Sequence, residues 1–151
     1  MFKAIVVGTD GSDGGNRAVL AAADLASTQP GSVLHIVSVQ KPLSATALAA
    51  SEMAAAAPIA AEMNWEAEIR EELEARLGRA AKSAEQPGLQ VETHARFGSP
   101  ADVICELAEQ LEADLIIVGN RGMKGGRRLL GSVPNSVSHH APCSVLIVDT
   151  M

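Results

Sequence analysis

Between Asp114 and Ser132 the chain reads DLIIVGNRGMKGGRRLLGS, an apolar run that breaks at Gly119 into a loop with more glycines and four basic residues, Arg121, Lys124, Arg127 and Arg128. Gly122 follows within the loop, and Gly131-Ser132-Val133 closes it. Glycine lets backbone come close to a ligand, and amides in front of a helix N-terminus attract anions. The chemistry this spacing serves is the holding of a phosphate. Ser132 would then donate its hydroxyl to a phosphate or, in the simpler case, N-cap the helix behind it. One of Lys124, Arg127 and Arg128 is expected to touch such a ligand, an arginine through a fork of parallel hydrogen bonds. A glycine-rich turn carrying a solvated basic loop fits the spacing about equally well.

A second feature lies in VGTDGS, residues 7–12. Asp10 closes the first strand, where its carboxylate can accept hydrogen bonds from a ribose hydroxyl or a base amino group. The same residue before glycine serves equally as an Asx turn or a helix cap. His139 and His140 are adjacent, so they point to different faces and make a poor metal pair; a contact with the helix dipole is the simpler use. His35 and His94 fall in strands and are read as packed or surface residues. Cys105 and Cys143 have no CxxC partner and no local base. The chain has no GxxxxGK[ST], GxGxxG, GxSxG or HExxH. A receiver-type phosphoacceptor would need an aspartate at the end of the third strand, which instead ends Arg96-Phe97.

Composition narrows the classes further. The 151 residues suit one domain with a core, here 1–151. An aromatic share of 2% leaves few platforms for stacking bases, and a net charge of −6 argues against a nucleic-acid footprint. The opening MFKAIVVGTD reads as a strand and not a signal peptide, and no apolar run approaches the roughly 20 residues a bilayer span needs. A cytoplasmic protein without membrane or nucleic-acid partners is expected.

The elements that must position these residues follow from periodicity. Continuous apolar runs at 3–8, 33–39, 115–118 and 145–148 predict strands buried on both faces, hence parallel and covered by helices. The more alternating 89–97 predicts a strand nearer an edge. Ser12 is expected to cap a helix to about Thr28, with Val19, Leu20, Ala23 and Ala26 inward. Asn64 is expected to cap a second, whose Trp65, Ile69, Leu73 and Leu77 form a stripe, with Glu66–Arg70 and Glu72–Arg76 as pairs on the wet side. Ser99-Pro100-Ala101-Asp102 reads as a capping box opening a third, with Val103, Ile104, Leu107, Ala108 and Leu111 toward the core. A short fourth runs from about Ser132 to His140. The segment 41–63, rich in alanine, is expected to be a short helix plus loop, a mobile lid or, equally, a poorly ordered, flexible surface excursion. This β-α alternation predicts a single-domain, doubly wound, five-stranded parallel α/β sheet with helices on both faces. Ligands of such sheets sit at the carboxyl ends of the strands, which here singles out 8–12, 39–41 and 119–128.

VGTDGS, GNRG, GSV and the closing SVLIVDT together resemble the universal stress protein (UspA-like) family, as do the Gly98-Ser99-Pro100 turn and Ala141-Pro142-Cys143. The resemblance spans essentially the whole chain. It implies a Rossmann-like fold of the adenine-nucleotide alpha-hydrolase type and an adenine nucleotide in the cleft: ATP, with or without Mg, AMP or cyclic AMP. On that resemblance the binding residues are Gly8, Thr9, Asp10, Val39, Val118, Gly119, Arg121, Gly122, Gly131, Ser132 and Val133. Asp10 would take the adenine or ribose end, with the backbone at Val39 facing the base. Gly119, Arg121 and Gly122 would line the ribose and phosphates, and Gly131, Ser132 and Val133 the phosphate end. Nucleotide-binding members carry G-x2-G-x9-G-[ST]; here eight residues, not nine, separate Gly122 from Gly131. The family also implies a homodimer, through the last strand at 145–149. A nucleotide-binding stress sensor or regulator is the expected function. A nucleotide-free dimeric interaction module, or a slow ATPase or phosphotransferase, are the alternatives; no catalytic residue is assigned.

Overall fold

Parallel pairing organises the molecule. The computed structural model describes residues 1–42, 59–120 and 130–150, with side chains omitted for 59–64. Five strands alternate with four helices: β1 (Ala4–Gly8), α1 (Asp13–Ser27), β2 (Val33–Gln40), α2 (Ile59–Ser83), β3 (Gln90–Phe97), α3 (Pro100–Gln110), β4 (Leu115–Asn120), α4 (Ser132–His140) and β5 (Ser144–Asp149). The sheet order is β3-β2-β1-β4-β5, all neighbours parallel. The chain steps outward from β1 to β3, then crosses back to lay β4 on the other side of β1. The order therefore reverses between β1 and β4, where a doubly wound sheet opens a crevice at its carboxyl end.

The apolar runs of β1, β2 and β4 make sense because these are the three inner strands. Their side chains alternate between two cores. Ile5, Val7, Leu34, Ile36, Leu115 and Ile117 pack under α1 and α2. Val6, Val37, Ile116 and Val118 pack under α3 and α4. β3 is an edge strand, as its alternating pattern predicts.

Four local expectations need correction. β5 is an edge strand and not a doubly buried one; Leu146 is 41% exposed, because nothing pairs with its outer side among the described residues. Leu20 faces outward on α1, also 41% exposed, while Ala18 and Ala22 take the inner face with Val19, Ala23 and Ala26. α2 is already helical at Ile59, so Asn64 is an interior residue and not a cap. The alanines and glutamates around it are strong helix formers that outweigh one weak residue. Finally, Ser99 stands at the N-cap of α3 with Pro100 at N1, but its side chain makes no capping hydrogen bond. The capping box is therefore not formed, and Pro100, which has no N–H to satisfy, supplies the start.

The stripe on α2 is real at Leu73 and Leu77, both buried. Its expected wet side is not entirely wet. Arg76 lies 3.7 Å from Glu72 but also donates to Ser38 Oγ at 3.3 Å, reaching over the end of β2. Arg70 stands over the Phe97 ring, 5.1 Å from its centroid.

Candidate functional site

Two helix N-termini converge at the β1–β4 reversal. The first follows β1 through a turn tied to β2 by the Thr9 amide, which donates to the Val37 carbonyl at 2.9 Å, and braced by side-chain hydrogen bonds. Thr9 Oγ1 accepts from the Gly11 amide at 3.2 Å, and Asp10 Oδ1 accepts from the Ser12 amide at 3.0 Å and from the Ser12 hydroxyl. Ser12 is the N-cap of α1, its Oγ accepting from Gly15 N at 3.1 Å. Asp10 thus makes the Asx turn that its place before glycine allows, while Ser12 does the capping. The second N-terminus belongs to α4. Gly131, not Ser132, occupies its N-cap position and, having no side chain, makes no capping hydrogen bond of its own. A glycine cap places no side chain of its own over the positive end of the helix, which favours an anion.

Between these termini lies a cavity of about 480 Å³, inside the roughly 300–1,000 Å³ typical of small-molecule sites. Gly8, Thr9 and Asp10 line it from β1, Val39 from β2, Val118 and Gly119 from β4, and Val133 from α4. Seven of the sequence-derived site residues therefore share one cavity. Gly131 and Ser132 stand beside it at the start of α4 without lining it. Arg121 and Gly122, and with them Lys124, Arg127 and Arg128, lie outside the described residues.

Residues not singled out as ligand contacts complete the wall. Ser12 comes from the cap of α1 and Gly14 and Gly15 from its first turn, Val37 from β2, Pro100 and Ile104 from α3, Pro134 from α4, and Thr150 from just after β5. Gly14 and Gly15 had a legible signal, a glycine pair in the first turn of a helix behind a glycine turn. A Cβ on Gly15 would fall 2.7 Å from Thr9 Oγ1 and 2.8 Å from Asp10 Oδ1. Thr150 is held by two contacts: its carbonyl accepts from Arg17 Nη1 at 2.8 Å, and its hydroxyl donates to the Asn120 carbonyl. Only the fold reveals that the residue after β5 closes this wall. The lining is mainly apolar with a few polar groups at its rim, and Asp10 is the one ionisable side chain among the described residues lining it.

The remaining candidates lie elsewhere. Cys105 and Cys143 are free, half-buried thiols, and burial pushes both above the ordinary thiol range. His140 Nδ1 lies 2.8 Å from the Ser136 carbonyl at the exposed end of α4, as the helix-dipole reading expects. His35 and His94, read separately as packed or surface residues, in fact meet: His35 Nδ1 is 3.1 Å from His94 Nε2. Burial holds both imidazoles below the ordinary histidine value, against the pull of Glu92.

The sheet order and the crevice between two helix N-termini define a parallel α/β protein of the Rossmann-like kind. Its sequence is more specific. Residues 1–149 match the universal stress protein family, and the chain belongs to that family. Universal stress protein Rv1636 of Mycobacterium tuberculosis (strain ATCC 25618 / H37Rv) is 38% identical over 151 residues, covering 99% of this chain and 97% of that protein. A universal stress protein crystallised in complex with cAMP superposes with a TM-score of 0.72 at 32% identity, covering 99% and 98% of the two chains. A universal stress protein from Archaeoglobus fulgidus in complex with dAMP shares the fold, with a TM-score of 0.64 at 20% identity and 96% of each chain covered.

Proposed function

We propose that this protein binds an adenine nucleotide in the crevice between α1 and α4 and acts as a stress-response sensor or regulator. The observation that carries the reading is the pairing of a carboxylate, Asp10, with the glycine-capped first turn of α4, through Val133 and Pro134, on the walls of one mainly apolar cavity. An adenine nucleotide has the matching parts: a flat apolar base, ribose hydroxyls that donate, and an anionic phosphate. The base would pack against Val37, Val39 and Ile104. The ribose hydroxyls would donate to Asp10. The phosphates would lie toward Gly131, Ser132 and Val133, where helix amides and dipole favour negative charge. Gly119, with Arg121 and Gly122 beyond it, would border ribose and phosphates. The cAMP complex of a relative 32% identical to this chain supports the ligand class.

With Asp10 the one ionisable group on the described wall, the cavity is better equipped to bind than to turn over. Binding would be read out through loop ordering or partner choice. We further propose that the protein is cytoplasmic and forms a homodimer through β5, whose outer edge and exposed Leu146 are open to a second copy. Among the described residues no helix is long and apolar enough to cross a membrane.

Isothermal titration of the full, untagged chain with ATP, AMP and cyclic AMP, each with and without Mg²⁺, tests the ligand. Saturable binding of at least one is expected; no binding of any at millimolar concentration overturns the reading. Mass spectrometry of protein released from cells would name the ligand if one co-purifies. Phosphoserine after incubation with ATP would instead favour a phosphotransferase.

A further inference from the structure

The cluster around His35 lies apart from the nucleotide crevice, and none of its members lines the cavity. Its placement follows from strand register. His35 on β2 pairs with Glu92 on β3, and His94 pairs with Val37 two residues along. Residues two apart on a strand share a face, so Glu92 and His94 both stand beside His35 on the side of the sheet that faces α3 and α4. All three side chains project from paired strands, the most rigid support a small protein offers a ligand set.

The geometry goes beyond a hydrogen bond between rings. His94 Nε2 lies 3.1 Å from His35 Nδ1, and Glu92 Oε2 lies 3.4 Å from that same nitrogen. One ring nitrogen offers a single in-plane hydrogen-bond direction, yet two groups converge on it. All three donor atoms lie within 4.8 Å of one another. Ligands at about 2.0–2.1 Å from a tetrahedral ion are separated by roughly 3.3–3.4 Å, close to both measured distances. The donor types also agree, since two imidazoles and a carboxylate with one position left open suit borderline divalent transition ions. Burial is graded in the useful sense: His35 is buried, His94 half-buried and Glu92 exposed, so an ion can enter from the β3 side. Arg96, the next residue on this face, donates to the Ala95 carbonyl at 3.1 Å.

We propose that His35 Nδ1, Glu92 Oε2 and His94 Nε2 form a binding site for a divalent transition-metal ion of the Zn²⁺ class, with a fourth position open to water. The site lies on the same sheet face as Val37 and Val39, which line the nucleotide cavity, and about 7 Å back along β2 from Val37. It is independent of the nucleotide reading, because its donors belong to β2 and β3 alone.

The test is a competition titration of Zn²⁺ against a chromogenic chelator, using the untagged full chain after removal of metals, with Co²⁺ as a spectroscopic probe. One Zn²⁺ per chain is expected, with Co²⁺ giving visible bands of low coordination number and no thiolate charge-transfer band. Glu92→Gln keeps the shape of the side chain, and His94→Ala removes a ring from a half-exposed position. Each is expected to weaken binding by more than the roughly 10–100-fold that losing an outer-shell partner costs. Circular dichroism of each variant checks that the fold persists. The double variant His139→Ala, His140→Ala is expected to bind as the parent does. Absence of Zn²⁺ and Co²⁺ binding overturns the proposal. So does binding unchanged in both Glu92→Gln and His94→Ala, binding lost with His139 and His140, or a thiolate band placing the ion at Cys105 or Cys143.

Discussion

At the carboxyl ends of the inner strands, a Cβ on Gly8 would lie 2.9 Å from Ile104 Cδ1, and one on Gly119 would lie 3.0 Å from Thr150 Cγ2 and 3.4 Å from the Gly14 carbonyl. At the amino ends, Gly31 before β2 and Gly88 before β3 have nothing within 4 Å, and both hold φ at +78°. The same residue type answers two different demands. At Gly8, Gly15 and Gly119 near the crevice it is a matter of space, since backbone, the start of α1 and Thr150 must come together to build the wall; Gly11, in the turn after β1, is the exception there, with φ at +77°. In the amino-end turns it is a matter of dihedral angle, which a side chain would strain. Part of the glycine signature at the crevice therefore serves packing whether or not a phosphate is held. A substitution there will disturb fold and binding together, whereas one at the other end will disturb the fold alone.

The largest effect is expected at Gly15, where even a methyl would meet Thr9 Oγ1, Asp10 Oδ1 and the Asp10 amide, the last at 3.1 Å. Gly15→Val should cost about 3 kcal/mol, at the upper end for overpacking, and should abolish nucleotide binding by displacing Asp10. Urea unfolding and calorimetric titration measure both. Unchanged stability would mean that the turn after β1 can shift freely, and the comparison between the two ends would fail. Gly119→Val is for the same reason a poor test of ligand binding alone, since it presses on Thr150 and α1.

Asp10→Asn separates binding from packing. The amide oxygen can still accept from Ser12 N, so the Asx turn is retained. The charge offered to ribose hydroxyls is lost, and such a charged hydrogen bond is worth about 1.5–3 kcal/mol. Nucleotide affinity is expected to fall about tenfold or more. Equal affinity in the two proteins would remove Asp10 from the ligand.

These residues also show how far the sequence can be read. β1, β2 and β4 are legible because a strand covered on both faces must be apolar throughout, and Asp10 and Gly119 are placed by being where such strands stop. β5 has the same apolar look but lies at an edge, since VLIV records one packed face and an outer side that the strand order alone exposes. Leu20 is misplaced because α1 has enough alanine to bury a neighbouring face. The meeting of His35 with Glu92 and His94 is invisible from spacing: it depends on which strands pair and in what register, with the two histidines 59 positions apart. Thr150 is hidden for the same reason, its role depending on contacts with Arg17 and Asn120.

At the amino end the expected effects are smaller and leave binding intact. Gly31→Ala should cost roughly 1–2 kcal/mol, the penalty of a left-handed angle for a residue with a Cβ, with nucleotide affinity unchanged. A loss of affinity would show that strain at this end reaches the crevice.

Asp114 gives the finest test. Its Oδ2 accepts from the Lys3 amide at 2.7 Å and the Ala4 amide at 3.0 Å, pinning the start of β1 to the start of β4. These bonds, that from Ala4 foremost, hold its carboxyl below the ordinary value of 3.8. A carboxyl with a depressed folded pKa binds its proton more readily in the unfolded chain. The stabilisation is therefore fully present above the ordinary value and is lost as pH falls from there through the folded value. Asp114→Asn keeps an acceptor but loses the charge. Because the group is exposed and screened, the cost at pH 7 should be at most about 1 kcal/mol. The unfolding free energies of parent and variant should converge as the pH falls through the depressed folded value. Urea midpoints at pH 7 and at low pH decide the matter. A difference that persists in acid would mean that the side chain acts through its shape, and the amino end would then share with the crevice a dependence on fit instead of charge.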